Sequence, residues 1–340
     1  MAVPKHIWLL WWQGWEHAPP LQRWVARSWE VQNPGWTVER LDGPALRELV
    51  GDAVPYIWDT RKTISMPARS DIARLALLNK FGGVWADSTL LCMQPLEEWV
   101  NGALAAEGFW MYHGAGGGMH PSEGPCSWFM VSLQGAPLVA TWKAACDGYW
   151  RDRGRCEGYF WMDALFRGLW HRDPAFKEAW RRVPYEQVGD WGSAHCMYGT
   201  WGGNDQVLKA RLSTRPPHVV KLWNEWTQRW PGALPMDKDP AVENTNAWHA
   251  IVLALGGPYR AYKEMAAIAD AMPPEDRVGV RGFHPTLARI RAFLDGPPAW
   301  LLPAVVLLVV VLVTGAWALL TRGKARRRRP QQQLLLQQDT

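Results

Sequence analysis

An α/β sheet domain followed by a single membrane-spanning helix is the architecture that this 340-residue sequence predicts. Three observations carry the expectation. Short apolar runs alternate with helix-patterned stretches over residues 1–135, Gly and Pro clusters separate them, and one long uncharged run stands near the C-terminus. The expected division is a domain over residues 1–295, an anchor over 296–321 and a basic, Gln/Leu-rich tail over 322–340.

Along the chain, Lys5 to Trp12 reads as a buried strand and Leu21 to Gln32 as a helix ended by Asn33-Pro34-Gly35. Trp36 to Leu41 follows as a second strand, then a helix at Ala45 to Val50 and a longer one from Ser70 to Lys80 that Gly82-Gly83 stops. Val84 to Ala86, Leu90 to Met93, Phe109 to Tyr112 and Trp128 to Leu133 are short apolar runs between turns, and Pro137 to Trp180 is mostly helical in pattern. His113 to Pro125 and Trp230 to Asn246 read as loops. The first is Gly-rich but lacks the spacing of a phosphate cradle, so it is expected to be a surface loop.

With 37 Lys and Arg against 32 Asp and Glu, the net charge of +5 invites a nucleic-acid reading, but its location removes it. Arg322, Lys324 and Arg326 to Arg329 carry six positive charges and Asp339 one negative, so residues 1–321 are neutral overall. A neutral body lacks the basic face that nucleic-acid binding requires. Only 20% of residues are charged and 25 are Trp, a composition that excludes wholesale disorder.

Ala299 to Leu320 is a run of 22 uncharged residues with Trp300 and Trp317 near its ends. As a helix it would span about 33 Å, enough for a bilayer core of about 30 Å. The basic cluster behind it favours a cytoplasmic tail, which places the domain in a lumen or outside the cell. No export signal is visible at the N-terminus, which favours the cytosolic face instead, so the side of the membrane stays open. Cys92, Cys126, Cys146, Cys156 and Cys196 are widely spaced and contain no CxxC pair, which indicates neither a zinc site nor a disulfide framework.

The chemistry concentrates between Ser70 and Thr89. Ile72, Ala73, Leu75, Ala76, Leu77 and Leu78 leave the helix almost no wet face, whereas Asp71 and Arg74, three apart, share one stripe. A Ser70 N-cap with a first-turn Asp and a local ion pair would explain them structurally. Gly82-Gly83 then turns the chain into a short strand that presents Asp87, a suitable position for an oxygen ligand to a divalent cation. The abundant indoles add a second theme, because an indole can cover the C–H face of a sugar while its N–H donates a hydrogen bond.

The order Ser-Asp, Arg, Leu-Leu, Gly-Gly, aromatic, Asp resembles the donor-site motif of glycosyltransferase family 32 and of glucosylating bacterial toxins. The capsular polysaccharide synthesis protein family is the nearest resemblance. Its opening pattern is matched by Pro4-Lys5-His6-Ile7-Trp8, Trp12-Gln13-Gly14, Ala18-Pro19, Ser28-Trp29 and Asn33-Pro34-Gly35-Trp36, and a later piece by Tyr159 to Tyr185.

The resemblance implies a GT-A type α/β domain that transfers a hexosyl unit from a nucleotide-sugar to a glycan or glycoconjugate acceptor, with retained anomeric configuration. It also implies Mn²⁺ or Mg²⁺ as cofactor. Asp87 falls at the first position of an Asp-x-Asp motif that here reads Asp87-Ser88-Thr89, so the second carboxylate is absent and Thr89 would act through a metal-bound water. Asp71 and Arg74 match positions that contact donor sugar and nucleotide, Ile7 and Trp8 the region lining the base, His218 a further metal ligand and Lys221 the phosphate site. An inverting enzyme would need a carboxylate base, for which Asp163 is a candidate. The missing carboxylate motivates a second expectation, a catalytically inactive carbohydrate-binding or scaffolding protein on the same fold.

Overall fold

The computed structural model describes residues 2–114, 118–120, 123–186, 205–222 and 246–271. All of them belong to one compact unit, Met1–Gly282, and the expected anchor and basic tail lie outside the described residues. Among the described residues no helix is long and apolar enough to cross a membrane.

The core is a five-stranded sheet of mixed direction. β1 (His6–Leu10) is parallel to β2 (Thr37–Leu41) on one side and to β3 (Gly83–Ala86) on the other. β6 (Gly124–Ser132) runs antiparallel to β3 and to β5 (Phe109–Gly114), giving the order β2-β1-β3-β6-β5. β1 and β3 are almost continuously apolar and buried, as strands covered on both faces must be, whereas β2, at the sheet edge, is exposed or half-buried up to Leu41. β4 (Leu90–Cys92) leaves this sheet and pairs antiparallel with β7 (Val219–Lys221), with Leu90 opposite Lys221.

Helix α1 (Pro20–Gln32) packs on β2 and β4. Its Trp29 is fully buried and donates its indole N–H to the Leu90 carbonyl at 2.8 Å. A short helix, α2 (Gly43–Val50), capped by the Asp42 carboxylate, leads to α3 (Met66–Phe81), which packs on β1, β3, β6 and α5 (Pro137–Arg151). The expected N-cap at Ser70 is corrected. Ser65 caps the helix, its Oγ accepting from the Ala68 amide, and Pro67 occupies the first turn. Asp71 therefore lies in the second turn and owes little to the helix dipole.

Gly82 and Gly83 have φ of 69° and 93°. A Cβ on Gly83 would stand 2.5 Å from the His6 carbonyl oxygen, so the strand can enter the sheet here only as glycine. The expected loop from His113 to Pro125 is shorter than the sequence suggests, because His113 pairs with Pro125 and Gly114 with Gly124 as a continuation of β5 and β6. The expected loop from Trp230 lies outside the described residues as far as Asn246, where a helix begins. After a four-residue helix, α4 (Val100–Ala103), and α5, the helical stretch continues as α6 (Trp161–Arg172) and α7 (Pro174–Arg182). Further on come α8 (Gln206–Thr214), α9 (Asn246–Ala254) and α10 (Pro258–Asp270).

Candidate active site

Asp87 stands immediately past the C-terminal end of β3, where its amide donates to the Trp128 carbonyl at 3.0 Å and its carbonyl accepts from the Leu90 amide at 2.9 Å. The backbone is thus held from both sides, and the carboxylate is presented in a fixed direction. Its Oδ1 accepts from Arg74 Nη2 at 3.1 Å and from the Trp85 indole at 3.0 Å, and its Oδ2 accepts from Lys221 Nζ at 2.7 Å. Lys221 also donates to Thr89 Oγ1 at 2.8 Å. The register of β4 with β7 explains this, since Lys221 lies opposite Leu90, one residue from Thr89.

Arg74 extends the cluster to α3. Its Nη1 lies 3.2 Å from Asp71 Oδ1 and donates to Ser127 Oγ at 2.7 Å, and its guanidinium lies 5.3 Å from the Trp85 ring centroid. Asp71 Oδ2 accepts from the Trp161 indole at 3.0 Å, and the neighbouring Ser70 Oγ accepts from the Trp12 indole at 2.9 Å. Two carboxylates and two cations therefore alternate as Asp71, Arg74, Asp87, Lys221. Side-chain exposure is 15% at Asp71, 7% at Arg74, 25% at Asp87 and 13% at Lys221, so the cluster is largely buried and solvent reaches it most at Asp87.

The carboxyl groups differ in acidity. Burial pushes Asp71 up to about 7, against the opposing pull of Arg74, while the negative charges of Asp163 and Asp87 reinforce the rise and the Trp161 N–H opposes it. Burial also acts to raise Asp87, but Lys221 and then Arg74 outweigh it and hold that carboxyl below its ordinary range. Asp163, in the first turn of α6, is raised to about 6 by burial, partly offset by Arg74. It is half-buried beside the cluster and is not the solvated helix-face residue of an ordinary amphipathic helix.

The fold thus gathers Asp71, Arg74, Asp87, Thr89 and Lys221. It does not gather Ile7, Trp8 or His218. Ile7 is fully buried in the centre of the sheet, and Trp8 donates its indole N–H to the Gly82 carbonyl at 2.8 Å. Gly82 precedes β3, so the Trp8 ring reaches the N-terminal ends of the parallel strands while Asp87 follows their C-terminal ends. His218 stacks on Trp99 at 4.0 Å, and its ring nitrogens meet Gln94 at 2.9 Å and Glu186 at 3.4 Å. It is three residues along the strand from Lys221, ~10 Å away.

The donor set does not fit a divalent cation. Both Asp87 oxygens are taken by N–H donors, the Thr89 hydroxyl accepts from Lys221, and the Lys221 ammonium stands between Asp87 and Thr89 where a metal bridging them would have to sit. Among the described residues no three His, Cys, Asp or Glu side chains are grouped so as to hold a metal ion. The site also recruits Trp12, Trp85, Ser127 and Trp161, to which sequence reasoning gave no role. The three indoles lie within the pieces that carry the family resemblance, whereas nothing in the sequence pointed to Ser127.

Comparison with known proteins places residues 2–199 in a match to the family model described as capsular polysaccharide synthesis protein. A curated relative from Saccharomyces cerevisiae, named "Putative glycosyltransferase HOC1", is 27% identical over 109 residues, which are 31% of this chain and 27% of the relative. The chain thus spans about a quarter of the length of that curated relative. The solved structure "PaToxG Glycosyltransferase" superposes with a TM-score of 0.32 at 12% identity, covering 53% of this chain and 77% of that one.

Proposed function

This chain belongs to the capsular polysaccharide synthesis protein family, and from that premise we propose that it is a glycosyltransferase with a GT-A type domain. It moves a hexosyl unit from a nucleotide-sugar to a hydroxyl of a glycan or glycoconjugate, with retention at the anomeric carbon. The apolar run 299–320 anchors it in a membrane. The observation that carries the reading is the alternating charge cluster at the end of β3, open to solvent at Asp87.

In such a transfer the bond between the anomeric carbon and the diphosphate oxygen breaks, the acceptor oxygen takes its place, and the acceptor proton leaves with the diphosphate. The barrier falls if charge developing on the diphosphate meets preorganised cations. Arg74 and Lys221 supply two, and Lys221 spends two of its three N–H donors on Asp87 and Thr89, leaving the third for a phosphate oxygen. Asp87 fixes the direction of both cations. Asp71, whose carboxyl burial pushes up to about 7, lies beside the cations as a hydrogen-bonding partner for sugar hydroxyls. Lys221 takes the electrostatic place that the Asp-x-Asp pattern assigns to a metal.

The full chain in detergent, incubated with uridine- and guanosine-diphosphate hexoses, should release nucleoside diphosphate in the presence of EDTA. Asp87→Ala should cut that release by about 10²–10³-fold. The inactive carbohydrate-binding reading, favoured by Thr89 in place of a second carboxylate, takes over if no donor is turned over while glycans still bind.

A further inference from the structure

Beyond the charge cluster, α5 and α6 enclose a cleft of about 760 Å³ lined by Tyr149, Arg153, Glu157, Tyr159, Phe160 and Trp161 among others, within the ~300–1,000 Å³ typical of small-ligand sites. Its lip is aromatic. Tyr159 is 73% and Phe160 63% exposed, and the two rings meet edge to face at 5.0 Å. An apolar lip beside a cleft is the kind of surface that ligand-binding grooves present. Deeper in, Trp161 packs against Tyr149 and Trp150, each at 5.3 Å, and the N–H of the same indole donates to Asp71. One residue therefore joins the cleft to the charge cluster.

The rim limits what the cleft can take. Arg153 is already engaged by Glu157 at 3.4 Å and by the Tyr149 ring at 4.3 Å, and Arg172 Nε donates to the Gly168 carbonyl at 3.1 Å. Glu157 offsets the charge of Arg153, so the rim is nearly balanced in charge and presents mainly guanidinium and carboxylate hydrogen-bonding groups. A concave wall of aromatic faces edged by side chains able to hydrogen-bond hydroxyls suits a neutral pyranose, whose C–H faces stack on rings.

We infer that this cleft holds the acceptor, a neutral glycan whose terminal sugar stacks on Tyr159 and Phe160 and whose reactive hydroxyl is directed past Trp161 toward Asp71. The inference rests on the transferase reading for the word acceptor, whereas glycan binding in the cleft is testable without turnover. The acceptor thus approaches from the α5–α6 side, and the donor diphosphate lies at Arg74 and Lys221.

The test uses the full chain in detergent on a printed array of neutral hexose oligosaccharides. Two variants attack the cleft in opposite ways: Tyr159→Ala/Phe160→Ala removes the lip, and Gly148→Phe fills the space, since a Cβ on Gly148 meets nothing within 4 Å. Thermal melting checks that each still folds. Binding of the best wild-type glycan should fall about tenfold or more in both. Wild-type levels of binding in both variants would overturn the inference, as would a wild type that binds no glycan. Asp87-dependent release of nucleoside diphosphate is scored separately, so a failed cleft leaves the transferase reading standing, and a failed transferase leaves the cleft to be judged on binding alone.

Discussion

Replacing Arg74 with methionine removes the cation between two carboxylates while keeping most of the apolar stem. Asp71 and Asp87 lie 3.2 and 3.1 Å from its guanidinium, and at an effective dielectric near 20 each attraction is about 5 kcal/mol. Most of that offsets the cost of burying the charges, so the net penalty should match that of breaking a buried ion pair, ~3–5 kcal/mol. Its dependence on pH gives the sharper test. Asp71 has a folded-state pKa of about 7, above its unfolded value, so its contribution favours folding at low pH and is lost as pH rises from ~4 through 7. Without Arg74 all three nearby carboxyls, Asp71, Asp87 and Asp163, move up, and the variant loses more relative to wild type at pH 8 than at pH 5, where Asp71 is largely neutral in both. Urea unfolding followed by Trp fluorescence at pH 5 and pH 8 measures both quantities. A penalty under ~1 kcal/mol at pH 8, or equal penalties at the two pH values, would refute the electrostatic account of the cluster. Adding Asp71→Asn to Arg74→Met should recover part of the loss at pH 8, because one of the stranded charges is then gone.

Further outcomes follow from the same geometry. Trp161→Phe removes an N–H that holds Asp71 down, so Asp71 should titrate above about 7 by carboxyl ¹³C NMR; an unchanged midpoint would detach Trp161 from the site. Calorimetry should detect no Mn²⁺ binding at Asp87 in wild type, and a heat that Asp87→Ala abolishes would restore a metal to the site. Gly83→Ala forces a Cβ to 2.5 Å from a carbonyl at φ 93° and should cost more than ~2 kcal/mol, whereas Gly135→Ala, at φ 67° with nothing within 4 Å, should cost only the ~1–2 kcal/mol of backbone strain. Equal melting shifts for the two glycine variants would show that crowding at His6 is relieved by movement.

What could be read in one dimension was local. The helix before Gly82 announces itself by a nearly all-apolar stretch, Gly82-Gly83 by residue type, and Asp71, Arg74 and Asp87 by being the few charges in a buried segment. Their grouping within 17 residues also carried the family resemblance, which the match over residues 2–199 bears out. The start of α3 was misplaced because the reading began at Ser70, although Pro67 in the first turn after Ser65 was a legible start signal.

Tertiary structure decided everything that joins distant parts of the chain. Lys221 reaches Asp87 across 134 positions because β4 pairs with β7 in one register, and Trp161 reaches Asp71 across 90 because α6 folds back beside α5. The same packing turned Ile7 and Trp8 into core and kept His218 on Trp99. Helical and strand periodicities follow from the local backbone geometry of each residue, so composition and spacing reveal them. Which side chain fills the space between Asp87 and Thr89 depends on strand register and packing, quantities no local pattern encodes, and here that side chain is an ammonium where the motif alone suggested a metal.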